Sequence, residues 1–334
     1  MLLEHEYNVY IQEILMKKKF LLTVAAVVVL LAAVVAAGSL YLVNFALVDA
    51  PRHRDSSFSR AIADYPELRQ WIDSLQAEGA LHDTFVVMPT GERAHAIFAR
   101  SSKAHGATAV LVHGYTDNAT SMLMIARIYN RYLNYNILLP DLHAHGQSDG
   151  KDIQMGWKDR LDVMHWICLA PGMFRTPADS MRLVVHGISM GAATTMCVSG
   201  EHTPDYVKCF VEDCGYTSVW DEFAHELSGR FSLPEFPLLY TASWVVRMKY
   251  GWSFGEASPL KQVAKCRKPM LFIHGDNDTY VPTAMVYPLY EAKPQPKQLW
   301  IAPGSKHALS YRDHKAEYVK KVTEFVSKWN GAEN

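Results

Sequence analysis

The pattern of apolar and polar positions changes character along this chain. Near the amino end, Phe20 to Val48 is an almost unbroken apolar run, interrupted only by Thr23, Gly38, Ser39 and Asn44. It predicts a helix without a polar face, which at ~1.5 Å per residue is long enough to cross a ~30 Å hydrocarbon core. Pro66 to Leu75 reads as a surface helix beneath it, with Pro near the first turn. Phe85 to Met88 and Ala94 to Ala99, joined through Pro89-Thr90-Gly91-Glu92, read as an antiparallel hairpin at a sheet edge. Short apolar segments near Val110, Ile137, Val184, Phe210, Leu271 and Leu299 then alternate with helical stretches. That alternation predicts an α/β fold with a mostly parallel central sheet, flanked by helices on both faces.

Candidate chemistry sits where those strands end. Gly187-Ile188-Ser189-Met190-Gly191 places a serine at the centre of G-x-S-x-G, directly between an apolar strand and a helix-forming stretch. A strand reversing that sharply forces the serine into a strained turn, with the next helix's amino end behind it and the Met190 N–H aimed where an oxyanion would form. A serine nucleophile needs a base, and the base an acid to orient it. His307 lies in a Gly/Ser loop after the strand at Leu299, and Asp278 in the polar turn after the strand at Leu271. Asp213, with Glu212 and Asp276 behind it, stands as an alternative acid. The loop after the strand at Val110, through His113-Gly114-Tyr115, offers the Tyr115 N–H as a second oxyanion donor. Triad and oxyanion hole suffice, so no cofactor is implied.

These pieces resemble the α/β-hydrolases, in the branch of serine aminopeptidase-like, monoglyceride-lipase-like and related bacterial enzymes. The resemblance is carried by His113-Gly114-Tyr115, Asp141 to Gly150, Gly187 to Gly191, His274 to Pro282 and Gly304-Ser305-Lys306-His307, and covers roughly residues 82 to 330. The order Ser, Asp, His along the chain is that of this family. One departure is His143-Ala144, where the family usually has Arg-Gly. The resemblance implies a serine hydrolase with a small helical cap, here the aromatic-rich insertion at about 216–265. An apolar cap favours hydrolysis of carboxylic esters through an acyl-enzyme. A peptidase taking a free amino terminus would need a cap carboxylate, for which Glu222, Glu226 and Glu235 are available. A catalytically silent binding scaffold is the reading outside the enzymes.

Composition narrows the field. Of 334 residues, 49% are hydrophobic and the formal net charge is −1, which supplies a large core and no electrostatic case for nucleic-acid binding. The five cysteines, Cys168, Cys197, Cys209, Cys214 and Cys266, are odd in number and unevenly spaced, which suits buried free thiols. His143 and His145 have the spacing of some metal ligands, but no third or fourth ligand follows, and no metal is expected. His113 and His186 read as packing and backbone-bonding residues beside the site.

The expected organisation is a tail at 1–19, a signal anchor at 20–48, a linker and surface helix at 49–80 and the hydrolase domain at 81–330. A secretory apolar core is shorter, ~7–15 residues, which favours an uncleaved anchor, although Val35-Ala36-Ala37 would suit cleavage and Met16 could be the start. Lys17-Lys18-Lys19 directs the amino end to the cytoplasm and the enzyme away from it, an asymmetry that Arg52, Arg54 and Arg60 reduce. The partners implied are the membrane and a small acyl ester or short peptide.

Overall fold

The computed structural model describes residues 1–48 and 58–330; Arg52 and Arg54 lie outside the described residues. Eight strands form one sheet: β1 (Leu81–Val87), β2 (Arg93–Ala99), β3 (Ala107–Val112), β4 (Asn136–Pro140), β5 (Arg182–Ile188), β6 (Val207–Asp213), β7 (Met270–Gly275) and β8 (Lys297–Ala302). Their order is β1-β2-β4-β3-β5-β6-β7-β8, and every pairing from β4 to β8 is parallel. The expected hairpin is β1 with β2, and β2 joins β4 antiparallel. Strands β3, β4 and β7 are buried along their whole length, as a sheet covered on both faces requires.

Helices α2 (Ser59–Asp64), α3 (Leu68–Ala77), α4 (Leu123–Arg127), α5 (Asp159–Met173) and α6 (Met190–Ser199) precede the cap, which contains α7 (Val219–Phe231), α8 (Leu238–Tyr250) and α9 (Pro259–Val263). Helices α10 (Val286–Ala292), α11 (Ser310–Asp313) and α12 (Lys315–Asn330) close the chain. One core joins α5, α6 and the cap to one sheet face, around Trp166, Phe210 and Phe272. The other packs α3, α4 and α12 on the opposite face, around Tyr129, Leu139 and Phe325. The helix at Pro66–Leu75 is α3; Leu68, Trp71, Ile72 and Leu75 are its buried face, and it packs against α4 and β1.

The amino-terminal helix α1 runs from Leu2 to Val43 and continues into a wider π-helical turn at Asn44–Val48. It starts well before the apolar run, because nothing from Leu2 to Lys19 is Gly or Pro. By length and composition it can cross a membrane. Its carboxyl end does not hang free: Val43 and Leu47 are buried in the hydrolase core, and α1 packs along α8.

Candidate active site

Strand β5 turns into α6 through the G-x-S-x-G segment, with Ser189 at φ 58° and ψ −120°. The flanking glycines are forced by contact. A Cβ on Gly187 would stand 2.0 Å from the Gly191 carbonyl oxygen, and one on Gly191 2.0 Å from that of Val112. The Ser189 N–H donates to the Asp213 carbonyl at 2.8 Å, which pins the strained turn to β6.

His307 reaches Ser189 from the loop after β8, with its Nε2 2.8 Å from Ser189 Oγ and its Nδ1 2.7 Å from Asp278 Oδ2. Carrying its proton on Nδ1, His307 donates to Asp278 and accepts the serine hydroxyl. Asp278 is fixed from its other side, where Oδ1 accepts the N–H groups of Tyr280 and Val281, each at 3.0 Å. Burial alone would raise the Asp278 pKa, but His274 and His307 outweigh it and hold the carboxyl at about 2. His274, buried, donates from Nε2 to the Val281 carbonyl at 2.9 Å and lies 3.4 Å from Asp278 Oδ2. Burial disfavours charge on His274, yet the Asp278 bond and nearby Glu212 raise its pKa.

The other acids considered are engaged elsewhere. Asp213 Oδ2 accepts the Tyr318 hydroxyl at 2.9 Å, and burial lifts its carboxyl to about 6. Glu212 accepts the Gly215 N–H at 3.0 Å, and Asp276 that of Gly304.

Met190 opens α6, whose first N–H groups find no partner within the helix. Gly114 packs on Ser189, a Cβ there lying 3.4 Å from the serine Cβ, and brings Tyr115 to the pocket. The loop Asp141–Gly150 braces this side. Asp141 accepts the Ala119 N–H at 2.7 Å and the Gln147 N–H at 2.8 Å, and pairs with His95 Nδ1 at 2.6 Å. At the family departure His143 faces Glu92 at 3.1 Å, and Ala144 sits at φ 61°. His145 is taken up by the His143 carbonyl and the Thr116 N–H. His113 meets the Gly114 carbonyl and the Leu142 N–H, as a backbone-bonding residue should. His186 differs from that expectation. Its ring lies between the Tyr129 and Tyr318 hydroxyls at 3.0 and 3.1 Å, and burial lowers its pKa to about 3. Four cysteines are buried free thiols, whereas Cys168 is exposed. Cys214 lies with Asp278 and His307 in a cluster of possible metal ligands, but burial raises its thiol's pKa, and the other two are bonded to each other and, through His307, to Ser189.

Two cavities meet at Ser189. One, of about 110 Å³, is lined by Met190, Tyr216, Phe223, Leu227 and Phe254, together with Leu42, Val43, Phe45, Ala46 and Leu47 from the end of α1. The other, of about 340 Å³, is lined by Arg60, Asp64, Asp117 and His307 and has a more polar rim. Sequence reasoning missed α1 as a pocket wall and His274 as a support for Asp278. The spacing of His274 and Asp278, four residues apart across one turn, was the available signal for the second.

Of the cap carboxylates, Glu222 and Glu226 line the apolar cavity, while Glu235 accepts the Trp220 indole N–H at 3.2 Å outside it. Glu226 pairs with Arg230 at 2.9 Å. Glu222 is 3% exposed, its Oε2 has no hydrogen-bond partner among the described residues, and burial raises its pKa well above the usual carboxylate range.

The family model described as the prolyl oligopeptidase family matches residues 154–333. The uncharacterized protein YqkD of Bacillus subtilis is 33% identical over 224 residues, which is 67% of this chain and 72% of that protein. Among solved structures, the Pyrococcus furiosus esterase Pf2001 superposes with a TM-score of 0.61 at 23% identity, covering 75% of this chain and 93% of that one. A puromycin-hydrolyzing peptidase of Mycobacterium tuberculosis superposes with a TM-score of 0.59 at 19% identity, over 76% of this chain and 40% of its own.

Proposed function

The chain belongs to the prolyl oligopeptidase family of α/β-hydrolases, and from that premise we propose that this serine hydrolase cleaves carboxylic esters through an acyl-enzyme on Ser189. The observation that carries the reading is the relay of Asp278, His307 and Ser189, bonded at 2.7 and 2.8 Å, at the junction of an apolar and a more polar cavity. His307 takes the Ser189 proton as Oγ attacks the ester carbonyl, and the imidazolium is stabilised by Asp278. The N–H groups of Tyr115 and Met190 receive the oxyanion. Proton return to the alcohol oxygen expels it, and water activated by His307 then releases the acid. The acyl chain suits the apolar cavity and the alcohol the polar-rimmed one.

A peptidase reading has its own support in Glu222, a buried acid that lines the apolar cavity and could hold a substrate ammonium. Esters are favoured because burial raises that carboxyl's pKa well above its usual range, which disfavours the charged form an ammonium would need. The length and apolar character of α1 support membrane anchoring, and Lys17-Lys18-Lys19 supports a catalytic domain facing away from the cytoplasm.

The test is fluorophosphonate labelling of the full chain in detergent beside Ser189→Ala, followed by a panel of esters and aminoacyl amides. Labelling abolished by the substitution, with esters turned over faster than amides, is the expected result. Folded protein that never labels would return the chain to the binding-scaffold reading.

A further inference from the structure

We infer that the apolar cavity is filled from the bilayer: its substrate is the long-chain ester of a membrane-resident lipid, and the end of α1 is the wall that the acyl chain lies against. This rests on the ester-hydrolase reading of Ser189 and on α1 crossing a membrane.

The first support is the wall. Leu42, Val43, Phe45, Ala46 and Leu47 line the cavity that holds Ser189. They are held in place by the Tyr115 hydroxyl, which donates to the Ala46 carbonyl at 2.6 Å, and the Ile153 N–H, which donates to that of Leu47 at 2.8 Å. Phe45 packs edge-on against Phe231 of α7 at 5.8 Å. A mere tether would need none of these contacts.

The second is depth. Lys17-Lys18-Lys19 marks one membrane surface. A hydrocarbon core of ~30 Å at ~1.5 Å per residue takes about 20 helical residues, so counting from Phe20 brings the opposite surface to about Ser39. The hydrolase domain begins to touch α1 at that level. The Cβ position of Gly38 is 3.1 Å from a Leu238 methyl, and Ser39 Oγ is 2.5 Å from Thr241 Oγ1. The wall residues follow directly, so the acyl cavity begins at the membrane surface.

The third is the outer face of the cap beside α1. Tyr240, Trp244 and Met248 recur every fourth residue along α8, Phe236 stands in the turn just before it, and the four, from Phe236 to Met248, are 73%, 53%, 64% and 69% exposed. An exposed, mostly aromatic stripe at a helix that packs against α1 suits the headgroup boundary of a bilayer. We assign that boundary as its occupant.

The experiment uses the full chain in phosphatidylcholine vesicles with two substrates, water-soluble p-nitrophenyl acetate and a hexadecanoyl monoester dissolved in the bilayer. The variant Phe236→Ser/Tyr240→Ser/Trp244→Ser alters residues outside the cavity. It should hydrolyse the acetate at the wild-type rate, which also reports folding, and the embedded ester at least tenfold more slowly. Independently, Ala46→Phe narrows the cavity and should shift the preferred chain to shorter acyl groups, at roughly fourfold in kcat/KM per methylene excluded. Wild-type protein inert toward both substrates would defeat the ester-hydrolase reading itself. Acetate hydrolysis without turnover of the embedded ester would overturn the present inference alone. So would a stripe variant as fast as wild type on the embedded ester, an unchanged chain preference in Ala46→Phe, or a dimer that the stripe substitutions dissociate, since a second copy would then cover the face.

Discussion

The Tyr115 hydroxyl donates to the Ala46 carbonyl at 2.6 Å, so the residue proposed to supply an oxyanion N–H is joined through its own side chain to the end of α1. Loop and helix are therefore one mechanical unit. Tyr115→Phe removes the bond but keeps the ring, which should lower stability by about 1 kcal/mol. The accompanying loss in kcat/KM should be larger for long-chain than for short-chain esters, because the wall is loosened while the relay is untouched. Thermal unfolding and a chain-length series on the purified full chain measure both.

Asp213 ends β6 and Asp278 lies in the turn after the neighbouring β7, yet only Asp278 meets His307; Asp213 takes the Tyr318 hydroxyl. Asp278→Asn should therefore lower kcat by about 10⁴-fold, as loss of the orienting acid does in such triads, whereas Asp213→Asn should stay within about tenfold of wild type. Near-normal turnover in Asp278→Asn would transfer the role to Asp213. Ester kinetics at neutral pH decide between them.

Much of this site was legible in the sequence because its parts follow from local rules. The Gly187–Gly191 turn, the positions of Asp278 and His307 after their strands, and the hairpin of β1 with β2 each arise from neighbouring residues. What stayed hidden depends on which surfaces meet. Phe20 to Val48 is apolar throughout, and nothing in its composition separates a side facing lipid from a side facing the cavity. Gly38 and Ser39 interrupt it, and small residues are what a close helix contact needs, here with α8. Their significance appears only with the partner in view. His186 is similar, since its hydroxyl partners Tyr129 and Tyr318 are 57 and 132 residues away along the chain.

Buried acids give the fold a distinctive pH dependence. Burial raises Asp159 from its ordinary 3.8 to about 8, with Asp162 adding repulsion, and raises Glu212 from 4.5 to about 8. A folded pKa above the unfolded one means that the native state keeps protons the unfolded chain has lost. Their contribution to stability is complete below about pH 4 and is lost as pH rises toward 8. Asp278, held at about 2, acts oppositely, its contribution present above 3.8 and lost only as pH falls toward 2. The unfolding temperature should thus be higher at pH 5 than at pH 8. Glu212→Gln, which can still accept the Gly215 N–H, should flatten that slope. A melting temperature that rises across this interval would contradict the assignment.

Glu222 separates the two substrate readings, because its carboxyl is buried in the acyl cavity with Oε2 unpartnered among the described residues. If the cavity takes an acyl chain, the carboxyl is only a wall group whose charged form burial disfavours. Glu222→Gln preserves its shape without a charge, and ester kcat/KM should move by less than about threefold, the effect of one neutral contact. If the cavity instead takes a substrate amino terminus, the ammonium must ionise Glu222, and the resulting ion pair is strong in so dry a site. The same substitution would then cost aminoacyl amides about a hundredfold or more, since breaking a buried pair is worth roughly 3–5 kcal/mol. Parallel kinetics on one long-chain ester and one aminoacyl amide, for wild type and Glu222→Gln, read both effects. Collapse of the amide with the ester unchanged would assign the site to peptides, because only a group that charges on binding distinguishes the two substrates in this way.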